Sequence, residues 1–218
     1  YNDLDLPDPR NLHKILDELF PSTGNDKEYD WPKVAAAIAI KKRFCAISGG
    51  PGTGKTTLIF KIISILWRIK NCPDNLHISL IAPTGKAAAR MKEAYNRALQ
   101  GEVSASFSRA KIAIHNSTIH RFLIGISRPY RSNSDKEDIS QSALIVVDEA
   151  SMADLAIMSK LFQALPKDCP IILLGDKDQL SSVEAGSVFS DICCEDKIYS
   201  FSPSMCNYIY KVTGFRLI

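Results

Sequence analysis

Phe44-Cys45-Ala46-Ile47-Ser48-Gly49-Gly50-Pro51-Gly52-Thr53-Gly54-Lys55-Thr56-Thr57 is the stretch on which the fold turns. A short apolar run of strand length enters a glycine-rich turn, and the turn enters a helical stretch from Lys55 to Ile69. Gly49 to Thr56 matches G-x-x-x-x-G-K-[ST] in the strand-to-helix context that pattern requires. Glycines let backbone N–H groups converge on phosphate oxygens without Cβ contacts, and the N-terminus of the following helix adds a favourable dipole. On that chemistry Gly49, Gly50, Pro51, Gly52, Thr53, Gly54, Lys55, Thr56 and Thr57 cradle the phosphates of a nucleotide. Lys55 reaches the β and γ phosphates, and the Thr56 hydroxyl ligates Mg²⁺. The competing reading is a glycine-rich turn with no ligand. Eight matching positions in the right context weigh against it.

Outward from this stretch the pattern of strand, loop and helix repeats. Ile78 to Ala82, Ala143 to Val147 and Ile171 to Leu174 are apolar runs of strand length; Lys86 to Leu99 and Leu155 to Leu165 read as helices. Nearly continuous apolar strands alternating with helices predict a parallel sheet covered on both faces, with ligands at the carboxyl ends of the strands. Two further strands end in unusual residues. Leu144-Ile145-Val146-Val147 runs into Asp148-Glu149, where Asp148 can hold Mg²⁺ through water and Glu149 can orient and deprotonate the attacking water. Without a phosphate loop beside it, an Asp-Glu pair at a strand end is an ordinary polar terminus. Ile171 to Leu174 runs into Gly175-Asp176-Lys177-Asp178-Gln179-Leu180, which the parallel geometry brings near the γ-phosphate, although Gly-Asp also makes ordinary turns.

Composition sets the bounds. The 218 residues, 45% apolar and 23% charged, are enough for one substantial core with a small appendage. No apolar run approaches the length of a membrane span, and no charged and apolar leader opens the chain at Tyr1, so a cytoplasmic location is expected. The six cysteines form no C-x-x-C pair and no cluster with histidine, and they read as reduced structural thiols. Charge is divided unevenly. Between Ile81 and Ser134 nine Lys and Arg stand against Glu93 and Glu102, a local +7 that leaves −4 for the rest of a chain totalling +3. Such a segment suits a phosphate-tracking surface or simply a solvated face. The first thirty residues hold eight acids and three basic residues, with a short helix expected around Asn11 to Phe20 and a polar linker from Ser22 to Asp30. A second helix is expected from Pro32 to Lys42. The polar stretch Ser127 to Ser142 reads as a mobile loop.

Taken in order, several blocks resemble superfamily 1 helicases, and within them the RecD-type proteins, the alpha subunits of bacterial exodeoxyribonuclease V. These are Ile47 to Thr57, Ala82-Pro83-Thr84-Gly85-Lys86-Ala87-Ala88-Ala89-Arg90 and Ser117-Thr118-Ile119-His120-Arg121. Val147-Asp148-Glu149-Ala150-Ser151-Met152 and Leu174 to Gly186 complete the set, and the similarity runs from about Leu12 to the C-terminus. The resemblance implies a RecA-like P-loop NTPase fold, a parallel sheet flanked by helices, with residues 1–30 as a small helical extension and linker and 31–218 as the first motor domain. It implies a DNA-stimulated ATPase that moves 5′ to 3′ on single-stranded DNA beside RecB and RecC in double-strand break repair and recombination.

By the same resemblance Lys55, Asp148, Glu149 and Gln179 serve hydrolysis, with Gln179 sensing the γ-phosphate, and Thr84, Gly85, Lys86, Arg90, Thr118 and His120 lie on the DNA path. Residue by residue the plainer readings stay open: Lys86 and Arg90 share one helix face that can be merely solvated, Thr118 can cap a helix, and His120 can pack. Pro32 stands where the family places a glutamine after Trp31 to read adenine. The family's second RecA-like domain, source of an arginine finger, lies outside these 218 residues, so slow hydrolysis is expected; a missing finger costs roughly 10³ in rate or more. Two other readings compete. A stand-alone RecD-like helicase would carry a longer N-terminal accessory region, and a non-hydrolysing nucleotide-dependent assembly module would not need Glu149 and Gln179.

Overall fold

The computed structural model describes residues 4, 6–21, 29–70, 76–100, 112–127, 142–166, 168–179, 188–193 and 201–217. Most of the loop expected at Ser127 to Ser142, the expected linker up to Glu28 and the Leu180–Gly186 end of the last motif lie outside them. So do Glu102, Arg109, Lys111, Arg128 and Arg131 of the basic segment.

Five parallel strands form one sheet: β1 (Phe44–Ser48), β2 (Leu76–Ala82), β3 (Ile112–Thr118), β4 (Leu144–Val147) and β5 (Ile171–Gly175), in the spatial order β1-β5-β4-β2-β3. Alternation along the apolar strands divides the core in two. Leu144 and Val146 of β4 and Ile172 and Leu174 of β5 face one side; Ile145 and Val147, with Ile171 and Leu173, face the other. All eight are buried, as the absence of polar positions in these runs requires.

The first face is covered by α1 (Pro9–Leu19), α2 (Trp31–Lys41), α3 (Lys55–Ile69), α4 (Gly85–Gln100) and the last helix, α8 (Pro203–Thr213). The second face is covered by α5 (Ile119–Ser127), α6 (Leu155–Ala164) and α7 (Val188–Ile192), through Phe122, Leu161 and Phe189. A 3-10 turn, Ala150–Met152, links β4 towards α6.

Helix ends follow local chemistry. Asp8 caps α1 through the Arg10 N–H, 2.7 Å, with Pro9 in the first turn, so the helix starts two residues before the expected Asn11. Asp30 caps α2 through the Lys33 N–H, 3.0 Å, and Ser202 caps α8 through the Met205 N–H, 3.3 Å. Leu12 and Leu16 of α1 are fully buried in the same core as Ile40 and Ile62. The seam is reinforced by polar contacts: Lys33, 6% exposed, donates to Asp17 at 2.6 Å, and His13 Nδ1 lies 3.0 Å from the Val212 carbonyl. Three strands or α-helices carry no sequence expectation: the strand β3, whose carboxyl end is the polar Asn116-Ser117-Thr118, and the helices α7 and α8. Among the described residues no helix is long and apolar enough to cross a membrane.

Candidate active site at the carboxyl ends of the strands

The sheet order sets the spacing of the site. β1, which feeds the glycine-rich loop, does not touch β4, which ends in Asp148-Glu149; β5 lies between them. Two strand positions separate loop from carboxylates by about 10 Å, room for a phosphate chain and a cation. The turn after β5 occupies the middle and is tied to the loop. The Gly49 N–H donates to the Gly175 carbonyl at 3.1 Å, and the Lys177 N–H donates to Ser48 Oγ at 3.1 Å.

The loop is held in shape from within. Thr53 Oγ donates to the Gly50 carbonyl at 2.8 Å, and Gly54 takes φ 80°, the left-handed conformation in which a Cβ is strained, immediately before α3. Lys55 Nζ donates to the Gly49 and Gly50 carbonyls, 2.9 Å to the latter, so the ammonium group already stands over the loop that would receive phosphate. Thr56 lies half-buried in the first turn of α3, and Thr57 beside it is exposed.

Across the crevice, Asp148 accepts the Glu149 N–H at 2.9 Å. Burial is the main cause pushing the Asp148 carboxyl above its ordinary range; the Glu149 charge adds to it, while the Glu149 N–H and the Lys55 charge oppose. Glu149 itself takes φ 53°, ψ 37°, and is the single non-glycine residue at positive φ among those described. Left-handed backbone at a non-glycine residue costs roughly 1–3 kcal/mol and collects at functional sites. Gln179, at the exposed end of the β5 turn, receives Ser151 Oγ on its Oε1 at 3.2 Å.

The donors on offer suit a hard cation held jointly with phosphate. Asp148 supplies carboxylate oxygen and Thr56 a hydroxyl, and no group of three or more His, Cys, Asp or Glu able to hold a metal by itself occurs among the described residues. Magnesium sites of that kind take one or two protein oxygens, the remainder coming from phosphate and water.

The residues expected on a DNA path form a second group. Thr84, Gly85 and Lys86 follow β2, while Thr118 ends β3 and His120 follows it, two strands in direct register with Ala82 opposite Thr118. Lys86, Arg90 and His120 are exposed. Both threonines cap helices: Thr84 Oγ accepts the Ala87 N–H at 3.2 Å, and Thr118 Oγ accepts the Arg121 N–H at 3.3 Å. This second group is set apart from the phosphate loop by the widths of β5 and β4. Three contacts of the site escaped the sequence reading, those of Ser151, of Ser48 and of Phe189 against Gly175. Ser151 stands inside a quoted motif, but spacing does not say what its hydroxyl meets. Two thiols are quiet: burial pushes both Cys45, with a smaller contribution from Cys193, and Cys169 up to about 12.

Parallel strands in this order, with a glycine-rich loop, a carboxylate pair and a polar turn at their carboxyl ends, define a P-loop NTPase of the RecA-like kind. The chain belongs to the family described as AAA domain, whose sequence pattern matches residues 33–185. It is similar to the RecBCD enzyme subunit RecD of Haemophilus influenzae, 38% identical over 211 residues, which are 94% of this chain and 32% of that one. It is also similar to the RecBCD enzyme subunit RecD of Mycobacterium tuberculosis, 39% identical over 180 residues, 81% of this chain and 30% of that one. The RecD-type resemblance read from the motifs is thereby borne out, and the chain spans about a third of the length of these relatives. In fold it is similar to the UvsW helicase from bacteriophage T4, with a TM-score of 0.52 at 15% identity, covering 80% of this chain and 62% of that one.

Proposed function

We propose that this chain contributes the ATP- and Mg²⁺-binding motor half of a RecD-type DNA helicase, with residues 31–218 as the first RecA-like domain and 1–30 as an extension leading into it. The observation that carries the reading is the convergence of Lys55, Asp148-Glu149 and Gln179 at the ends of three neighbouring strands. In that arrangement Gly49 to Thr57 hold the phosphates, and Lys55 leaves the loop carbonyls for the β and γ oxygens. Mg²⁺, held by Thr56 and Asp148 together with the phosphates, supplies neutralising charge. Glu149 orients and accepts the proton of water, and Gln179 hydrogen-bonds the γ-phosphate.

The resemblance extends the proposal to movement 5′ to 3′ on single-stranded DNA, with RecB and RecC as partners in double-strand break repair and recombination. Thr84, Gly85, Lys86, Arg90, Thr118 and His120 are the proposed DNA contacts. Exposed Lys86 and Arg90 support that role by chemistry, since phosphate is bound chiefly by cations. Both threonines cap helices, the plainer role left open for Thr118 by the sequence, and that role is compatible with a DNA contact without favouring it. A capping oxygen spends a lone pair and keeps its own hydrogen for a phosphate acceptor.

Equilibrium binding of a fluorescent ATP analogue, with and without Mg²⁺, tests the core of the proposal. Binding should require Mg²⁺ and fall at least tenfold in Lys55→Ala, a loss of about 1.4 kcal/mol or more. Pro32 offers no side-chain amide to a base, so excess GTP should compete nearly as well as ATP. Binding that ignores both Mg²⁺ and Lys55 would sink the proposal.

A further inference from the structure

Ser151 is 3% exposed and lies in the 3-10 turn two residues beyond Glu149. A buried hydroxyl needs a partner, and here the partner is the side chain of Gln179, 28 residues further along the chain in the turn that follows β5, the next strand of the sheet. The left-handed backbone of Glu149 belongs to the same reversal, since it is where the chain leaves β4 to enter the turn that carries Ser151. From these contacts we infer that Ser151 is a positioning residue that orients Gln179 and links it to the turn of Glu149. The inference rests on the proposed role of Gln179 at the γ-phosphate.

The chemistry is that of an amide with two unlike ends. Gln179 Oε1 accepts and Nε2 donates, whereas phosphate oxygens only accept. A glutamine that contacts a γ-phosphate must therefore present Nε2. By donating to Oε1, Ser151 occupies the acceptor end and leaves both Nε2 hydrogens for an acceptor. The backbone beneath is held as well: the Gln179 N–H donates to the Asp176 carbonyl at 3.3 Å, and Ser190 Oγ donates to the Lys177 carbonyl at 3.0 Å. An exposed side chain with three rotatable bonds is thus restrained at its tip by a buried hydroxyl. Because the hydroxyl and Glu149 share one short turn, the presence of a γ-phosphate at Gln179 and the setting of the water-orienting carboxylate become one event.

The test compares affinities for Mg²⁺-ATPγS and Mg²⁺-ADP in the intact chain. Wild type should prefer ATPγS. Ser151→Ala should lose about five- to tenfold of that preference, the worth of one net hydrogen bond, with ADP affinity changed less than twofold. Ser151→Cys, close in volume but a weak donor, should lose most of the preference too, which keeps the test alive if the alanine variant folds poorly. Ser151→Ala combined with Gln179→Ala should lose no more than Gln179→Ala alone. An unchanged preference in Ser151→Ala, or equal weakening of both nucleotides, overturns the inference and leaves the phosphate site standing. A wild type that binds nucleotide but does not distinguish ATPγS from ADP overturns the role of Gln179 and the inference with it. Failure of wild type to bind either nucleotide overturns the wider proposal.

Discussion

Asp148 shows how one residue joins stability to chemistry. Its carboxyl is pushed up chiefly by burial, so the folded chain binds its proton more tightly than an unfolded chain does. Stability therefore falls as pH rises from the ordinary aspartate value, about 3.9, through the raised one, and above that window the ionised group is a net cost. Asp148→Asn should accordingly raise the melting temperature of the nucleotide-free chain at pH 7, a gain that shrinks as pH falls and vanishes below about 4. The same variant should lose the Mg²⁺-dependent part of nucleotide binding. Thermal unfolding at several pH values checks both signs of this expectation; an unchanged or lower melting temperature at pH 7 would contradict it. Asp148, Glu149, Lys55 and Gln179 were all legible as candidates, because strand-end carboxylates and a lysine after glycines are local patterns. Their partners were not, because the Ser151 and Gln179 contact depends on which strand lies beside which.

At the level of elements, the end of β5 illustrates packing that a residue pattern does not announce. Gly175 has ordinary negative φ, yet a Cβ placed on it would lie 2.8 Å from the ring of Phe189 in α7. The glycine is required by close approach of α7 to the strand that carries the Gln179 turn. Gly175→Ala should cost about 1–3 kcal/mol in denaturant unfolding, the usual range for overpacking, and Phe189→Leu added to it should recover part of the loss. An alanine variant as stable as wild type would show that α7 yields easily. Strands β1, β4 and β5 and helix α3 were readable from the sequence to within a residue because they are apolar on both faces or flanked by the glycine-rich loop. β3 was not: among the described residues it pairs with β2 alone, and its end is polar. The cap of α8, Ser202 followed by Pro203, is present in the sequence, but a single cap does not reveal where a helix docks.

Across the whole molecule, α1 and α8 meet on the face that also carries α2 and α3, so both ends of the described chain share the central core. Leu16, fully buried there, should cost about 2–5 kcal/mol on conversion to alanine, and unfolding should remain a single transition shared by the fluorescence and circular dichroism probes. A cost below about 1 kcal/mol, or a separate early transition, would mean that α1 folds independently of the sheet.

Sequence alone determined the fold class and marked the candidate nucleotide site, because a phosphate loop, a carboxylate pair and paired apolar runs are written within short windows of 4 to 15 residues. It also determined the RecD-type kinship, through the order of its motifs. The strand order was decided only by tertiary structure. β5 lies between β1 and β4 because burying both faces of each apolar strand is a property of neighbours, and neighbours here come from distant parts of the chain. That order sets the roughly 10 Å between phosphate loop and carboxylates. It also brings Ser151 to Gln179, and the left-handed turn at Glu149 is visible only once the chain has to leave one strand and reach the next.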